Sequence, residues 1–182
     1  MIYFIMAGII VVMIILWAIS LQRSLVVMDE NINNAMSQIG IQLSSRWDAL
    51  TCMLDLTKGY AAHDYNILAE TIKVRRSVTG HSNPEDINKQ ENVITGTLAK
   101  IMEIAENYPE LKANKTYLKS MDAVNQYETM VRASRLIYND SITKLNRAIR
   151  GFPAILIAGI LGFSKREYLK AAENRTKIPA MK

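Results

Sequence analysis

Residues 32–54 read INNAMSQIGIQLSSRWDALTCML. Ile32, Met36, Ile39, Leu43, Trp47, Leu50 and Leu54 follow one another at steps of four, three, four, four, three and four. Side chains three and four apart stack on one side of a helix, so this spacing predicts a long amphipathic helix that buries one stripe. Gln38, Gln42, Arg46 and Asp48 supply polar groups on the same segment. No proline interrupts residues 1–82, and no glycine-, proline- or serine-rich hinge precedes the stripe. The helix is therefore expected to run backwards, unbroken, into the N-terminal residues.

Those residues, 1–21, read MIYFIMAGIIVVMIILWAISL, and the first charge is Arg23. About 20 apolar residues at 1.5 Å each cross the roughly 30 Å hydrocarbon layer of a bilayer. Tyr3 and Trp17 lie near the two ends, where amphipathic rings favour the interface. The segment reads as a single transmembrane anchor in contact with lipid. A cleaved signal peptide is the rival reading, but it calls for a basic start and a shorter apolar core, and Ala18-Ile19-Ser20 makes only a weak cleavage site. No Lys or Arg precedes the span and Arg23 follows it, although Asp29 and Glu30 follow too. This leans toward the N-terminus outside and the rest of the chain in the cytoplasm, at the cell membrane.

Residues 22–163 read as one helical domain, with helical spacing over most of their length. The first helix is expected to end near Gly59, and a second begins at His63 or Asp64, marked by Ile67, Leu68, Ile72 and Val74. Residues 79–86 break the pattern. Asn83 there reads as an N-cap with Pro84 at the first helical position. Helix resumes through Val93, Ile94, Leu98, Ile101, Met102 and Ala105 and stops at Tyr108-Pro109. A third helix opens near Leu111, carries Leu118, Met121, Val124, Val131, Tyr138, Ile142, Leu145 and Ile149, and ends at Gly151-Phe152-Pro153.

Segments 20–59, 64–108 and 111–150 hold 40, 45 and 40 residues. Each would make a rod roughly 60 Å long. The expected fold is all-α: the transmembrane helix continues into a long antiparallel bundle of three to four helices. In that arrangement the Pro109 turn lies near the membrane and the Gly59 and Gly151 turns at the far end. Residues 154–163, AILIAGILGF, are too short to cross a bilayer and read as a buried cap, ahead of an oligomer contact or an interfacial segment.

The net charge is +5, and most of it sits in residues 164–182, which hold six basic residues against two acids. This reads as a solvated basic tail. Tyr168 is its sole aromatic, so nucleic acid is not an expected partner.

One polar constellation stands out. Glu128, Arg135, Asn139 and Asn146 are spaced seven, four and seven on the third helix, beside apolar Val131, Ile142 and Ile149. Polar groups on an apolar seam need partners or cost about 1–3 kcal/mol each. With Gln38 and Arg46 of the first helix, these residues are expected to form a structural polar layer that sets helix register, Arg135 pairing with a carboxylate. The alternative is a small-ligand or ion site in that layer. Neither His63 nor His81 has metal-ligand spacing, and the lone Cys52 excludes an intramolecular disulfide. No catalytic residue, metal or cofactor is expected.

Several segments together resemble the LemA family of bacterial membrane proteins: NINNAMSQIGIQLSSRWDALTCMLDLTKGYAAHD at 31–64, LAETIKVRRSV at 68–78, IAENYPELKANKTYLKS at 104–120, and RASRLIYNDSITKLNRAIRGFPAILIAGILGFSKREYL at 132–169. The order Ser-Gln-Ile, Lys-Gly-Tyr-Ala, Tyr-Pro-x-Leu-Lys-Ala-Asn, Ala-x-Arg-x-x-Tyr-Asn, Phe-Pro and Gly-Phe is specific. The resemblance implies one N-terminal transmembrane helix, a long helical bundle and no established catalytic role. One branch is similar to magnetosome-membrane proteins involved in membrane remodelling, which makes a scaffold plausible. Gln38, Arg46, Arg135, Asn139 and Asn146 coincide with the family's motif positions. Met36 stands where a tryptophan is usual, Asp64 where a glutamate is, and Leu145-Asn146 where a second Tyr-Asn is. These departures put inherited ligand chemistry in doubt. The expected function is a membrane-anchored scaffold or protein-interaction module, with a second copy or another membrane protein as partner and no small-molecule substrate. A membrane-bound sensor using the polar layer is the alternative.

Overall fold

The structure is a computed structural model and describes residues 1–170. It is all-α, with no strand among the described residues. The elements are α1 (Ile2–Thr57), α2 (Ala62–Ile72), α3 (Pro84–Asn107), α4 (Pro109–Lys112), α5 (Lys115–Arg150) and α6 (Ile155–Ala158).

α1 is one uninterrupted helix of 56 residues, roughly 80 Å long. Its N-terminal part carries an apolar window long enough to cross a membrane, and none of that window is buried against protein. Burial begins at Leu25 and continues through the predicted stripe: Ile32, Met36, Ile39, Leu43, Trp47, Leu50 and Leu54 are all at most 2 % exposed. Each such side chain contributes about 1.5–3 kcal/mol by leaving water. The helix ends two residues short of Gly59, which turns without a left-handed φ; among the described glycines only Gly162 has positive φ, 82°.

The 45-residue middle segment is not one rod. α2 ends at Ile72, and residues 73–83 return along α1 in non-helical form. Arg75 reaches Asp48 and Ser44, Val78 lies on Gly40, and Gly80 lies on Asn33, so the segment descends as α1 rises. α3 then starts beside Asp29 and Ile32 and climbs back, parallel to α1, with Gln90 bonded to Trp47 and its last turns facing α2. Asn83 caps it as predicted, accepting from the Glu85 N–H. Asn114 caps α5 in the same way.

This extra reversal corrects the expected placement of the turns. Tyr108 meets Tyr60 at 5.9 Å between ring centroids, so the Pro109 turn lies at the end remote from the apolar segment. α5 descends antiparallel to α1, pairing Glu128 with Arg46 and setting Ser141 and Lys144 beside Met28 and Asn31. The Gly151 turn is therefore at the end next to the apolar segment. A hairpin of α2 and α3 in place of a single rod reverses the direction of everything that follows.

Two further expectations change. Residues 154–163 are not a buried cap: Ala154 and Ala158 face the core, whereas Ile155, Leu156 and Ile160 are exposed, as is the neighbouring Phe152. Residues 164–170, read as the start of a solvated tail, are held against the bundle through Arg166 and Leu169, Leu169 being 2 % exposed, while the side chains of Ser164, Lys165, Glu167, Tyr168 and Lys170 stay exposed. The rest of that tail lies outside the described residues.

The crossing of residues 73–83 over α1 depends on two glycines. A methyl group at Gly40 would sit 2.6 Å from the Val78 carbonyl oxygen, and one at Gly80 would sit 2.8 Å from that of Asn33. Gly40→Ala is expected to destabilise by about 1–3 kcal/mol through overpacking, even though alanine is the better helix former. Gly96 is also helical but has open space at the same position, so Gly96→Ala should stabilise by about 0.5–1 kcal/mol. Denaturant melts of the two variants should move in opposite directions.

Candidate functional site

The predicted polar residues do not form one layer. They divide among three places. Gln38 lines a cleft between α1 and α5 with Asn31, Asn34, Ser134 and Ser141. Arg46, 1 % exposed, reaches Glu128 at 2.8 Å across the α1–α5 interface, and Glu128 also accepts from Arg132 one turn along. Of the polar groups on the same stretch of α1, Gln38 and Arg46 face α5, whereas Asp48 turns to Arg75.

Arg135, Asn139 and Asn146 form the third group, and their partners were not expected. The two asparagines do not meet polar groups of α1. They hold the main chain of the extended segment that follows the cap. The Asn146 side-chain amide donates to the Arg166 carbonyl and accepts from the Arg166 N–H, both at 3.0 Å. Asn139 does the same to Leu169, again at 3.0 Å each way. Between them the Tyr138 hydroxyl donates to the Glu167 carbonyl at 3.3 Å. Arg135 donates to the Lys170 carbonyl at the end of the row.

The spacing explains why this works. Seven residues of helix rise about 10.5 Å, and three residues of extended chain cover about 9–10 Å. Asparagines seven apart on α5 thus meet residues three apart on the segment. A primary amide presents one donor edge and one acceptor edge, and so can satisfy both main-chain groups of one residue. The row grips backbone and reads no side chain directly.

The clamp is tied into the bundle on two sides. Arg135 also donates to the Glu91 carboxylate and to Asn88 Oδ1 at 3.0 Å, both on α3. Arg166 donates through Nε and Nη2 to Asp29 Oδ1 on α1, at 3.0 and 2.7 Å. α1, α3 and α5 are thereby all tied to residues 166–170, α3 through Arg135. Burial holds the Tyr138 phenol above its usual pKa, with Arg166 opposing and Glu167 adding to the effect, so it keeps its proton and its donor role. The exposed Tyr168 phenol is lowered instead, first by its hydrogen bond with Thr143 and then by Asn146.

The carboxylate predicted for Arg135 is thus Glu91, which the sequence reading did not single out. Its signal was present: Glu91 stands one turn from both Ile87 and Ile94 on the apolar side of α3, an acid where the helix is otherwise buried. Asp29 and Arg166 carried no comparable signal, since their pairing depends on the chain reversing at the cap.

Among the described residues no group of three His, Cys, Asp or Glu side chains comes together as a metal site. Cys52 is exposed and lies away from the clamp. What the arrangement offers chemically is a matched set of neutral amides for an extended peptide backbone.

The family model for LemA matches residues 35–182. The chain belongs to the LemA family. The match takes in the whole clamp, from its α3 and α5 residues to the segment they hold, and begins within the buried stripe of α1. Comparison with curated proteins finds no match.

Proposed function

We propose that this LemA protein is a membrane-anchored, non-catalytic scaffold, holding a rigid helical bundle upright for contact with a second copy or another membrane protein. The observation that carries this reading is that the apolar segment and the bundle core share one unbroken helix. The anchor is residues 1–21, and the bundle stands on the cytoplasmic side of the cell membrane with the N-terminus outside. Arg23, Arg147, Arg150 and Lys165 are exposed at the bundle end of the span, which favours that orientation.

A rigid joint fixes the distance and angle of the bundle relative to the bilayer. That suits a spacer or assembly element, whereas an enzyme acting on soluble substrates gains nothing from it. Cleavage of the apolar segment as a signal peptide would cut α1 mid-helix, four residues before fully buried Leu25. A ligand sensor working through Arg135 has less support, since Asn139 and Asn146 already spend their amides on residues 166 and 169. Native mass of the full chain extracted in mild detergent tests the reading. Assemblies of two or more copies, or a stoichiometric membrane-protein partner, are expected. A strict monomer with nothing co-purifying would count against a scaffold.

A further inference from the structure

The bundle has an apolar surface that neither the anchor nor the clamp uses. Phe152, Ile155, Leu156 and Ile160 are 85, 55, 65 and 85 % exposed, and all four lie on the short connection between α5 and the clamped segment. Ala158 seats this connection on the core and Ala154 is buried, whereas these large side chains stay exposed.

Its height along α1 follows from register. Glu128 is level with Arg46, and α5 descends as α1 rises. The 22 residues from Glu128 to Arg150 therefore bring the end of α5 roughly level with Ser24. On the other side of the cap, Gly162 and Phe163 share a groove with Asp29 and Ile32. The exposed residues thus fall beside the point where α1 changes from buried stripe to bare apolar surface, between half-buried Leu21 and Leu25. Basic side chains rim them: Arg147 and Arg150 in the last turn of α5, Lys165 after the cap and Arg23 on α1, all exposed.

We infer that residues 152–160 are a second membrane contact, dipping into the headgroup and upper acyl region of the bilayer that α1 crosses, with the basic rim on lipid phosphates. Ten apolar residues cannot cross a bilayer, but an exposed apolar face edged by Arg and Lys inserts about 5–10 Å into the interface. The occupant is lipid because the patch lies at the level where the bare apolar surface of α1 starts and exposed basic side chains flank it. Two contacts to one side of the bundle axis would fix its tilt and its rotation, which a single helix cannot do. The inference rests on reading α1 as a span.

The test uses the full chain in vesicles of mixed zwitterionic and anionic phospholipid. Cys52→Ser removes the native thiol, and single cysteines placed by Leu156→Cys, Ile160→Cys, Ile10→Cys or Ile137→Cys carry an environment-sensitive fluorophore. All four positions are exposed, so folding is not at stake. Labels at 156 and 160 should emit to the blue and lose intensity to lipid brominated high on the acyl chain. The label at 10 should respond to bromines placed deep, and the label at 137 should report water. Labels at 156 and 160 that report water while the label at 10 reports lipid would overturn the second contact and leave the anchor intact. Blue emission at 156 and 160 without quenching by lipid would mean a protein partner there, and would overturn it as well. Water at position 10 would overturn the span itself, and the second contact with it.

Discussion

Arg135→Met is expected to lower unfolding stability by about 3–5 kcal/mol, as measured by denaturant melts of the full chain in detergent. Glu91 is 2 % exposed, and Arg135 is the cation that meets it. Removing the guanidinium leaves a carboxylate inside the bundle without its charge partner. The same substitution deprives Asn88 and the Lys170 carbonyl of a donor. Methionine keeps most of the volume, so the loss is electrostatic and hydrogen-bonded rather than a cavity effect. Arg135→Met combined with Glu91→Leu removes both charges and should recover most of the loss, since a buried pair is often no better than an apolar pair of similar size. The two residues are in contact, so their effects should be strongly non-additive. An Arg135→Met variant as stable as the wild type, or a double variant no better than the sum of the singles, would remove Arg135 from the centre of the bundle.

The second large effect should come from Asn139→Ala with Asn146→Ala. Together these asparagines make four hydrogen bonds to the main chain of Arg166 and Leu169. At about 0.5–1.5 kcal/mol each the four bonds come to roughly 2–6 kcal/mol, and losing the seat of Leu169 adds about 1.5–3 kcal/mol. The loss should be local. Residues 163–170 should detach below the global melt, because α1, α3 and α5 keep their own contacts. Amide hydrogen exchange at Arg166 and Leu169 reads this directly: both should become fast in the double variant while Ile142 and Ile39 stay protected. Asn146→Asp keeps the acceptor and discards the donor, so it should speed exchange near residue 166 by less than the alanine does. Unchanged protection at both amides would mean that packing alone holds the segment.

Much of this fold was legible in the chain. The stripe at 32–54 and its continuity with residues 1–21 depend on local spacing and on the lack of breakers, both of which a sequence displays. The caps at Asn83 and Asn114 are equally local, although only the first was read. Turn placement was harder, because it depended on one count. Residues 79–86 read as a break within a rod, yet Gly40 and Gly80 let the longer non-helical stretch 73–83 pass close along α1 and send the chain back. Close approach between distant glycines is a tertiary fact with no local signature. The same holds for the clamp. Asn139 and Asn146 were recognisable as polar groups that needed partners, and their seven-residue spacing was visible. That the partner would be main chain, three residues apart on an extended segment, could not be read from residues that look like the root of a basic tail.

The two asparagines also bear on the scaffold reading. The segment they hold leads from the cap beside the apolar segment back up the bundle, and Arg166 ties it to Asp29 on α1 just above that segment. The clamp thus braces the end of the bundle from which the apolar segment leaves. Bracing there serves a fixed geometry better than a mobile one.

Hydrogen exchange across residues 21–31 of the full chain in lipid is the most direct test of that fixed geometry. If the anchor and the bundle are one rod, these amides exchange slowly and without a break between the lipid-protected residues before them and the core residues after them. Fast exchange confined to 21–31 would show a flexible joint and contradict the rigid scaffold.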